Sequence, residues 1–212
     1  MDEFITIEET SKVEVEIVEK KSKFIGNLFY INSVKEAEEI IKNIKKRYHD
    51  AKHHCIAYRV MEEEKLIERS SDDGEPSGTA GAPMLSILQK NNLCNILIVV
   101  TRYFGGILLG TGGLVSCYSR ATLEALDNIT KVEKCMGQEA EVKLNYSNLE
   151  SFKYYCKNKK INITNIEYLD KIICKIEAEN SKIKEIMQDI QLKKLMVNEI
   201  IVLNKKIILK SK

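Results

Sequence analysis

Five glycines occur within nine positions of one segment, residues 102–114 (RYFGGILLGTGGL), which lies between an apolar run and a helical pattern. Glycine lets backbone N–H groups approach a ligand closely, and the N–H groups at the start of a helix bind phosphate and other anions. Arg102 would add a fork of donors, and Tyr103 and Phe104 would add flat faces for a base or ring. The segment predicts an anion-binding loop. The alternative is a tight strand-to-helix connection whose glycines relieve crowding.

The candidate ligand-binding residues come from this segment, from a small basic cluster near residue 20 and from a loop before residue 80. The basic cluster could contact phosphates, or it could simply be solvated. No Lys-Ser/Thr pair follows the glycines, which excludes a Walker A loop, and the spacing is not GxGxxG, which excludes the dinucleotide fingerprint. The candidate set is Arg102, Tyr103, Gly105, Gly106, Gly110, Thr111, Gly112, Gly113, Lys21, Lys23 and Thr79.

A second segment, residues 70–83 (SSDDGEPSGTAGAP), concentrates the carboxylates of Asp72, Asp73 and Glu75 around a glycine turn. Three carboxylates this close repel one another unless they are solvated, bonded to backbone N–H groups or bridged by a cation. One reading is a hard-cation site or an acid/base cluster, with His53 as a possible general base. The other is a turn before a helix, whose carboxylates stabilise the positive end of the helix dipole.

Other signs of catalysis are weak. His53 and His54 are adjacent on a predicted strand, so they face opposite sides and cannot both bind one metal ion with ordinary geometry. There is no recognisable nucleophile motif, no HExxH and no CxxC pair among the six cysteines. No cofactor is predicted, and no metal ligand set is assigned.

The elements that would position these residues belong to an α+β fold. Residues 13–18 and 24–31 are predicted strands, and residues 34–47 form an amphipathic helix. Residues 53–60 alternate as a strand, and a polar loop over residues 68–78 leads to a short helix over residues 82–89. Residues 95–102 (NILIVVTR) are a strand buried on both faces, and a helix over residues 114–126 follows the glycine segment.

The second half has a different composition. Nine of the ten glycines and both prolines precede residue 114, and the tenth, Gly137, marks the change. We therefore predict two domains, residues 1–136 and residues 137–212. Residues 137–212 show a βαββαβ pattern, with strands at residues 140–144, 161–169, 172–178 and 197–203, which fits a ferredoxin-like sandwich.

Charge and composition limit the classes of function. The net charge is +2, but the first 136 residues carry −3 and the rest carry +5, with 15 lysines against 10 acidic residues. This excess gives weak support to a nucleic-acid-facing second half; the alternative is a solvated Lys-rich surface. The acidic start does not have the pattern of a secretory signal, and the longest apolar runs are far too short to span a membrane. The scattered cysteines are typical of a protein in a reducing compartment. The sequence predicts a cytoplasmic protein without membrane contact.

Four segments together resemble the IMPACT/YigZ family. They are KKSKFIG (residues 20–26), DAKHHCIAYR (residues 50–59), SDDGEPSGTAGAPM (residues 71–84) and VVTRYFGGILLGTGGL (residues 99–114, running on to Tyr118). The similarity covers about residues 18–126, and the βαββαβ half looks like the second domain of bacterial members. His54 departs from the family, which tends to have a smaller polar residue there.

The resemblance implies a fold and a class of function. The first domain should be similar to the second domain of a small-subunit ribosomal protein, with a left-handed βαβ crossover, and the second to the last domain of elongation factor G. Eukaryotic members restrain the amino-acid-starvation kinase pathway by competing for its activator protein, which implies action by binding. Fold likeness alone is a weak warrant for function.

Three hypotheses follow. The first is a translation-linked binding protein for RNA, the ribosome or a translation-control partner, in which Arg102 and the glycine segment contact phosphate and the Lys-rich half adds affinity. The second is a metal-assisted hydrolase or phosphoryl-transfer enzyme that uses Asp72, Asp73, Glu75 and His53. The third is a protein–protein adaptor without nucleic-acid affinity. Binding is favoured over catalysis.

Overall fold

A computed structural model describes residues 3–62 and 65–209, which are mixed helix and strand, as the predicted α+β class requires. The chain forms two compact units, the first spanning residues 4–132 and the second combining residue 3 with the part of the chain from residue 133 onward. The predicted boundary at residues 136/137 lies inside strand β7 (Lys131–Leu144) and stays a prediction. Each unit has a core of its own.

The first unit is built on one antiparallel sheet with the order β2-β3-β6-β4-β5. Because β3 and β4 are both antiparallel to β6, they run parallel to each other with β6 between them, and helix α1 connects them. The left-handed sense of this crossover stays a prediction. The strands are β1 (Glu3–Ile7), β2 (Lys12–Glu19), β3 (Ser22–Tyr30), β4 (His53–Glu62), β5 (Lys65–Ser71) and β6 (Ile96–Tyr103), and the helices are α1 (Val34–Arg47), α2 (Gly81–Lys90) and α3 (Gly110–Asp127).

Strand β6 is buried on both faces, as its β-branched run predicts. Ile98 and Val100 pack with residues of α2 and α3 on one face. Leu97 and Val99 pack with residues of α1 on the other. The end of β6 is thereby held between two helical layers, and it carries Arg102 into the layer of α2 and α3 because side chains alternate along a strand.

The second unit has the predicted βαββαβ order. Its antiparallel strands pair in the order β10-β7-β9-β8, and both helices pack against one face through residues such as Phe152 and Ile186. Its elements after β7 are a 3-10 turn (Tyr146–Asn148), α4 (Leu149–Asn158), β8 (Asn162–Tyr168), β9 (Ile172–Glu179), α5 (Asn180–Gln191) and β10 (Glu199–Leu209).

Several predicted boundaries are wrong. Helix α3 begins at Gly110 rather than Leu114, so the last three glycines of the segment lie in its first turn. Residues 68–71, assigned to a polar loop, complete edge strand β5, whose exposed polar side chains hide its strand character in the sequence. Strand β1 was not predicted; Ile5 bonds through its backbone to Asn92 and Cys94. No described helix is long and apolar enough to cross a membrane.

Candidate functional site

The two chemistry-bearing segments meet at a buried ion-pair network of Arg102, Glu75 and Tyr118. One terminal nitrogen of Arg102, Nη1, donates to both carboxylate oxygens of Glu75, at 2.7 and 3.0 Å. The hydroxyl of Tyr118 donates to Oε1 of Glu75 at 2.8 Å. The side chains of Arg102 and Glu75 are only 6% and 3% exposed, and Tyr118 is fully buried. The network joins β6, the acidic loop and α3.

Aromatic rings surround the guanidinium. Its central carbon lies 5.5 Å from the ring centroid of Phe24 and 5.6 Å from that of Phe104, which are cation–π distances. Phe24 also packs edge-to-face on Tyr118, at 5.2 Å between centroids. Burial raises the pKa of Tyr118, so its hydroxyl stays protonated and keeps donating to Glu75. In such surroundings each charge depends on the other, because an unpaired ion in a dry site is strongly unfavourable.

The carboxylates of the acidic loop do not share a site. Asp72 accepts from the N–H groups of Gly78, Ala80 and Gly81 at 2.8–2.9 Å, and so caps the start of α2. Burial alone would raise the pKa of Asp72, but these N–H donors outweigh it and hold the pKa below its usual value. Glu75, by contrast, points to Arg102. The reading of the acidic loop as a helix-capping turn is therefore right for Asp72.

The side chain of Asp73 has hydrogen-bond partners different from those of Asp72 and Glu75. It accepts from Nζ of Lys45 and from the N–H of His54, both at 2.8 Å. Burial opposes ionisation, but Lys45 and the His54 N–H lower the pKa of Asp73 below its usual value. Within residues 3–62 and 65–209, no group of three or more His, Cys, Asp or Glu side chains is placed to hold a metal ion.

The two histidines are structural in their contacts. Nδ1 of His53 lies 3.0 Å from the carbonyl oxygen of Asp73, and Nε2 of His54 lies 3.0 Å from the carbonyl oxygen of Tyr48. Cys55 next to them is buried, and burial raises the pKa of its thiol to about 12, which makes it a poor nucleophile. The candidate general base thus contacts a backbone carbonyl rather than a carboxylate pair.

Thr79 also closes the acidic loop on itself. Its Oγ1 donates to the carbonyl oxygen of Pro76 at 2.6 Å, and its N–H bonds to the same oxygen at 3.1 Å. Thr79 is buried, so its hydroxyl faces the loop and not solvent. The loop is therefore held by its own hydrogen bonds as well as by the ion-pair network.

In the glycine segment, Gly105 packs against the turn between β2 and β3. A Cβ atom on Gly105 would lie 2.0 Å from the carbonyl carbon of Lys21, so no other residue fits there. The N–H of Gly105 donates to Oγ of Ser22 at 3.1 Å. Lys20 and Lys21 have φ angles of 45° and 64°, which for non-glycine residues cost energy and are kept only where the surroundings enforce them.

The remaining glycine-segment candidates lie around the start of α3. Gly106 has a φ of 83°, in the left-handed region that favours glycine. Leu109 precedes the helix and gives no side-chain cap to its first N–H groups. Exposed or half-exposed residues of the first turn are Gly110, Thr111, Gly112 and Gly113.

Tyr103 and Lys23 lie on the opposite face of the sheet from Arg102. The hydroxyl of Tyr103 donates to Asp50 at 2.7 Å, and this bond raises the pKa of Tyr103 to about 12. Lys23 forms a 2.8 Å ion pair with Glu16. The predicted ligand residues therefore do not form one site. Arg102 lies in the buried network, several glycines lie around the start of α3, and Tyr103 and Lys23 lie on the opposite face of the sheet.

The structure adds Leu108 and Ile107, which sequence reasoning missed, to an exposed surface that also contains the predicted Phe104 and Lys21. Leu108 is 82% exposed, Phe104 51% and Ile107 44%. They lie beside the exposed Lys20–Lys21 turn, because Gly105 in the same loop contacts that turn. We call these five residues the turn–loop surface. Apolar residues within a Gly-rich loop, rather than on a helix face, were the signal available in the sequence.

Comparison with known proteins gives consistent matches. The family model described as Impact N-terminal domain matches residues 20–126. The chain is 39% identical to the IMPACT family member YvyE of Bacillus subtilis (strain 168), over 80% of this chain and 76% of that protein. It is 35% identical to the IMPACT family member YigZ of Escherichia coli (strain K12), over 78% of this chain and 82% of that protein. A solved structure described as that of a hypothetical protein aligns with a TM-score of 0.62 and 29% identity, covering 96% of this chain and 98% of the other.

Removing one partner of the buried ion pair should be costly. We expect Arg102→Met to lower the free energy of unfolding by about 3–5 kcal/mol, because Glu75 is left buried without a counter-charge. The double variant Arg102→Met with Glu75→Gln should lose less than the sum of the two single variants. Urea denaturation measures these values. The control is Arg120→Met, whose exposed ion pair with Glu19 should contribute less than about 1 kcal/mol to the free energy of unfolding. If the effects of the two single variants simply added in the double variant, the proposed coupling between Arg102 and Glu75 would be contradicted.

Gly105 and Gly112 form a matched pair of substitutions. Gly105→Ala should lower the free energy of unfolding by about 1–3 kcal/mol, since the new methyl group collides with backbone atoms of Lys21. Gly112→Ala meets no atom within 4 Å in the first turn of α3 and should be neutral or stabilising by about 0.4–1 kcal/mol. Thermal unfolding followed by circular dichroism measures both, and equal effects would refute the close approach at Gly105.

Proposed function

Because the chain belongs to the IMPACT family, as its motifs predicted, we propose that it is a translation-linked binding protein. In this proposal the first unit binds a partner protein through the turn–loop surface. The observation that carries this proposal is the exposure of Leu108, Phe104 and Ile107 in one short loop beside two exposed lysines. Clusters of exposed apolar side chains mark interaction sites in soluble proteins.

The base of the turn–loop surface is held in place by contacts within the protein. Gly105 holds the loop against Lys21 and Ser22, and Arg102 holds the base of the loop through Glu75. A surface that is already ordered loses little conformational entropy when it binds, which favours affinity. The strained φ angles of the Lys20–Lys21 turn fit this reading, because such strain is concentrated at functional sites.

The chemistry of this surface favours a protein over a nucleic acid. The guanidinium of Arg102, the strongest phosphate-binding group of the segment, is buried against Glu75 and is not offered to solvent. What the surface presents is apolar, with the ammonium groups of Lys20 and Lys21 at its edge and no acidic partner for either among the described residues. A partner segment with apolar anchors next to carboxylates would satisfy both features.

RNA or ribosome binding is a second candidate. The observation that favours it is the excess of lysine over acidic residues in residues 137–212. In this form of the proposal the second unit supplies the salt-dependent affinity for phosphates. The N–H groups of the exposed residues Gly110, Thr111 and Gly112 at the start of α3 would add anion contacts from the first unit.

The enzymatic alternative gains no support from the geometry. Asp72 caps α2, Asp73 pairs with Lys45, and Glu75 pairs with Arg102, so three separate environments hold the carboxylates that a shared cation would need. His53 contacts a carbonyl oxygen instead of a carboxylate of this set. The proposal therefore assigns no catalytic residue and no cofactor.

Substitution in the turn–loop surface should abolish partner binding without unfolding the protein. We would place a photo-crosslinking residue at position 108 and expose the protein to a reconstituted mixture of purified ribosomes and translation factors. The expected product is a crosslink to one protein component. Binding of that component should fall at least about tenfold in Leu108→Glu and in Lys20→Glu with Lys21→Glu, because buried anchors at the centre of an interface dominate its affinity.

The matched control is Leu123→Glu, which places the same charge at a half-exposed leucine of α3 outside the surface. It should bind as the unmodified protein does. Unchanged binding in Leu108→Glu, or crosslinks from position 108 to ribosomal RNA alone, would overturn the assignment of this surface to a protein partner.

A further inference from the structure

One edge of the sheet in the first unit is open along strand β2. This strand pairs with β3 in an unbroken antiparallel register, and no described strand lies on its other side. An edge strand of this kind presents a row of backbone N–H and C=O groups that another strand can pair with. Only an extended polypeptide matches such a row of alternating donors and acceptors.

The hairpin turn determines which backbone groups point outward. Lys20 and Lys21 form a two-residue turn with positive φ angles, so the flanking Glu19 and Ser22 exchange both of their backbone hydrogen bonds. Such hydrogen-bonded pairs alternate with non-bonded pairs along an antiparallel ladder. The N–H and C=O groups of every second residue therefore point away from β3, namely those of Lys12, Glu14, Glu16 and Val18.

One end of this row is covered by helix α3. Nη2 of Arg120 lies 3.5 Å from the carbonyl oxygen of Val18, which confirms that this carbonyl points outward. The outward backbone groups of Lys12, Glu14 and Glu16 have no hydrogen-bond partner within residues 3–62 and 65–209. The open part of the edge is therefore residues 12–16.

The charges of this open part complement a second copy of the same strand. Lys12 has no acidic partner among the residues that the structure describes. If two copies of β2 pair antiparallel about Glu14, Lys12 of each copy lies opposite Glu16 of the other, and opposite charges across a ladder stabilise it. Pairing about Val15 would place Glu14 opposite Glu16, and pairing about Val13 would join only residues 12–14.

The other side chains of the strand are compatible with the same pairing. Glu14 would meet Glu14 of the second copy at the two-fold axis, but each carboxylate already forms a 2.8 Å ion pair with Arg47 of its own chain. On the opposite face of the sheet, Val13 would lie against Val15 of the second copy. Both valines pack on the core and are only partly buried, so the pairing would cover apolar surface that one chain leaves open.

We propose that the chain forms a two-fold symmetric dimer through residues 12–16 of β2, in which two five-stranded sheets become one continuous sheet. So short a pairing gives a small interface, and the dimer is therefore weak and depends on concentration. The Lys20–Lys21 turns of the two copies lie at opposite ends of the paired strands, about 40 Å apart. The dimer thus offers two turn–loop surfaces, and a partner with two matching segments would bind it more tightly than it binds one chain.

The first test is sedimentation of the full chain over about 5–500 µM protein, where a dimer of this strength should form as the concentration rises. Lys12→Glu should weaken dimerisation by at least about tenfold, because it sets carboxylates opposite each other at two symmetric positions. Adding Glu16→Lys to Lys12→Glu restores opposite charges and the original net charge. This double variant should dimerise within about threefold of the unmodified protein.

The second test is crosslinking through a cysteine at the axis. Glu14→Cys would place two thiols opposite each other with Cα atoms about 5.5 Å apart, a distance that a disulfide can span. The control is Arg69→Cys, an exposed position on β5 at the other edge of the same sheet. All six native cysteines are buried, so they should not compete. Oxidation should give a covalent dimer of Glu14→Cys and little of Arg69→Cys.

Three results would overturn the proposal. They are an unmodified protein that stays monomeric over the whole concentration range, a dimer that Lys12→Glu leaves unchanged, and crosslinking of Glu14→Cys no faster than that of Arg69→Cys. Leu108→Glu lies outside the paired strands and should dimerise as the unmodified protein does. A chain that dimerises but binds no protein through position 108 would refute the turn–loop assignment alone.

Discussion

The first unit depends on one buried ion pair, that between Arg102 and Glu75. The two residues lie on different segments, yet the guanidinium contacts both carboxylate oxygens, and Tyr118 adds a third element to the same point. Desolvating both charges is costly, and Nε of Arg102 is buried without a hydrogen-bond partner among the described residues, so the pair is kept only if its position matters. Its effect is to join the end of β6, the acidic loop and the middle of α3, and so to place the glycine segment.

Much of the fold could be predicted from the periodicity of apolar residues. The site could not, because it depends on the directions in which its side chains point, which the sequence does not contain. The buried run of β6 and the amphipathic pattern of α1 identified their elements, since apolar spacing reports burial directly. The cluster Asp72, Asp73 and Glu75 looked like a shared site because the residues are close in sequence. Their side chains point to different partners, and Glu75 meets Arg102 only through the tertiary fold.

Most residues of the glycine-rich and acidic motifs have structural contacts that hold the two loops in place. Gly105 is required by the close approach of Lys21, and Asp72 by the free N–H groups of α2. Such residues are as restricted in type as catalytic ones, because no other side chain meets the same steric and hydrogen-bonding demands. Leu108, the most exposed side chain of this loop, has no such internal role, which is why we assign binding to it.

The most direct test of the account is native-state hydrogen exchange in the variant Glu75→Gln, which keeps the size of the side chain but removes its charge. If the ion pair holds both loops, the N–H groups of Gly81 and Gly105 should lose protection together, although their own acceptors on Asp72 and Ser22 are unchanged. Amides of strand β9 in the second unit should keep their protection. Unaltered exchange at Gly81 and Gly105 in a folded Glu75→Gln protein would contradict the central role of this pair.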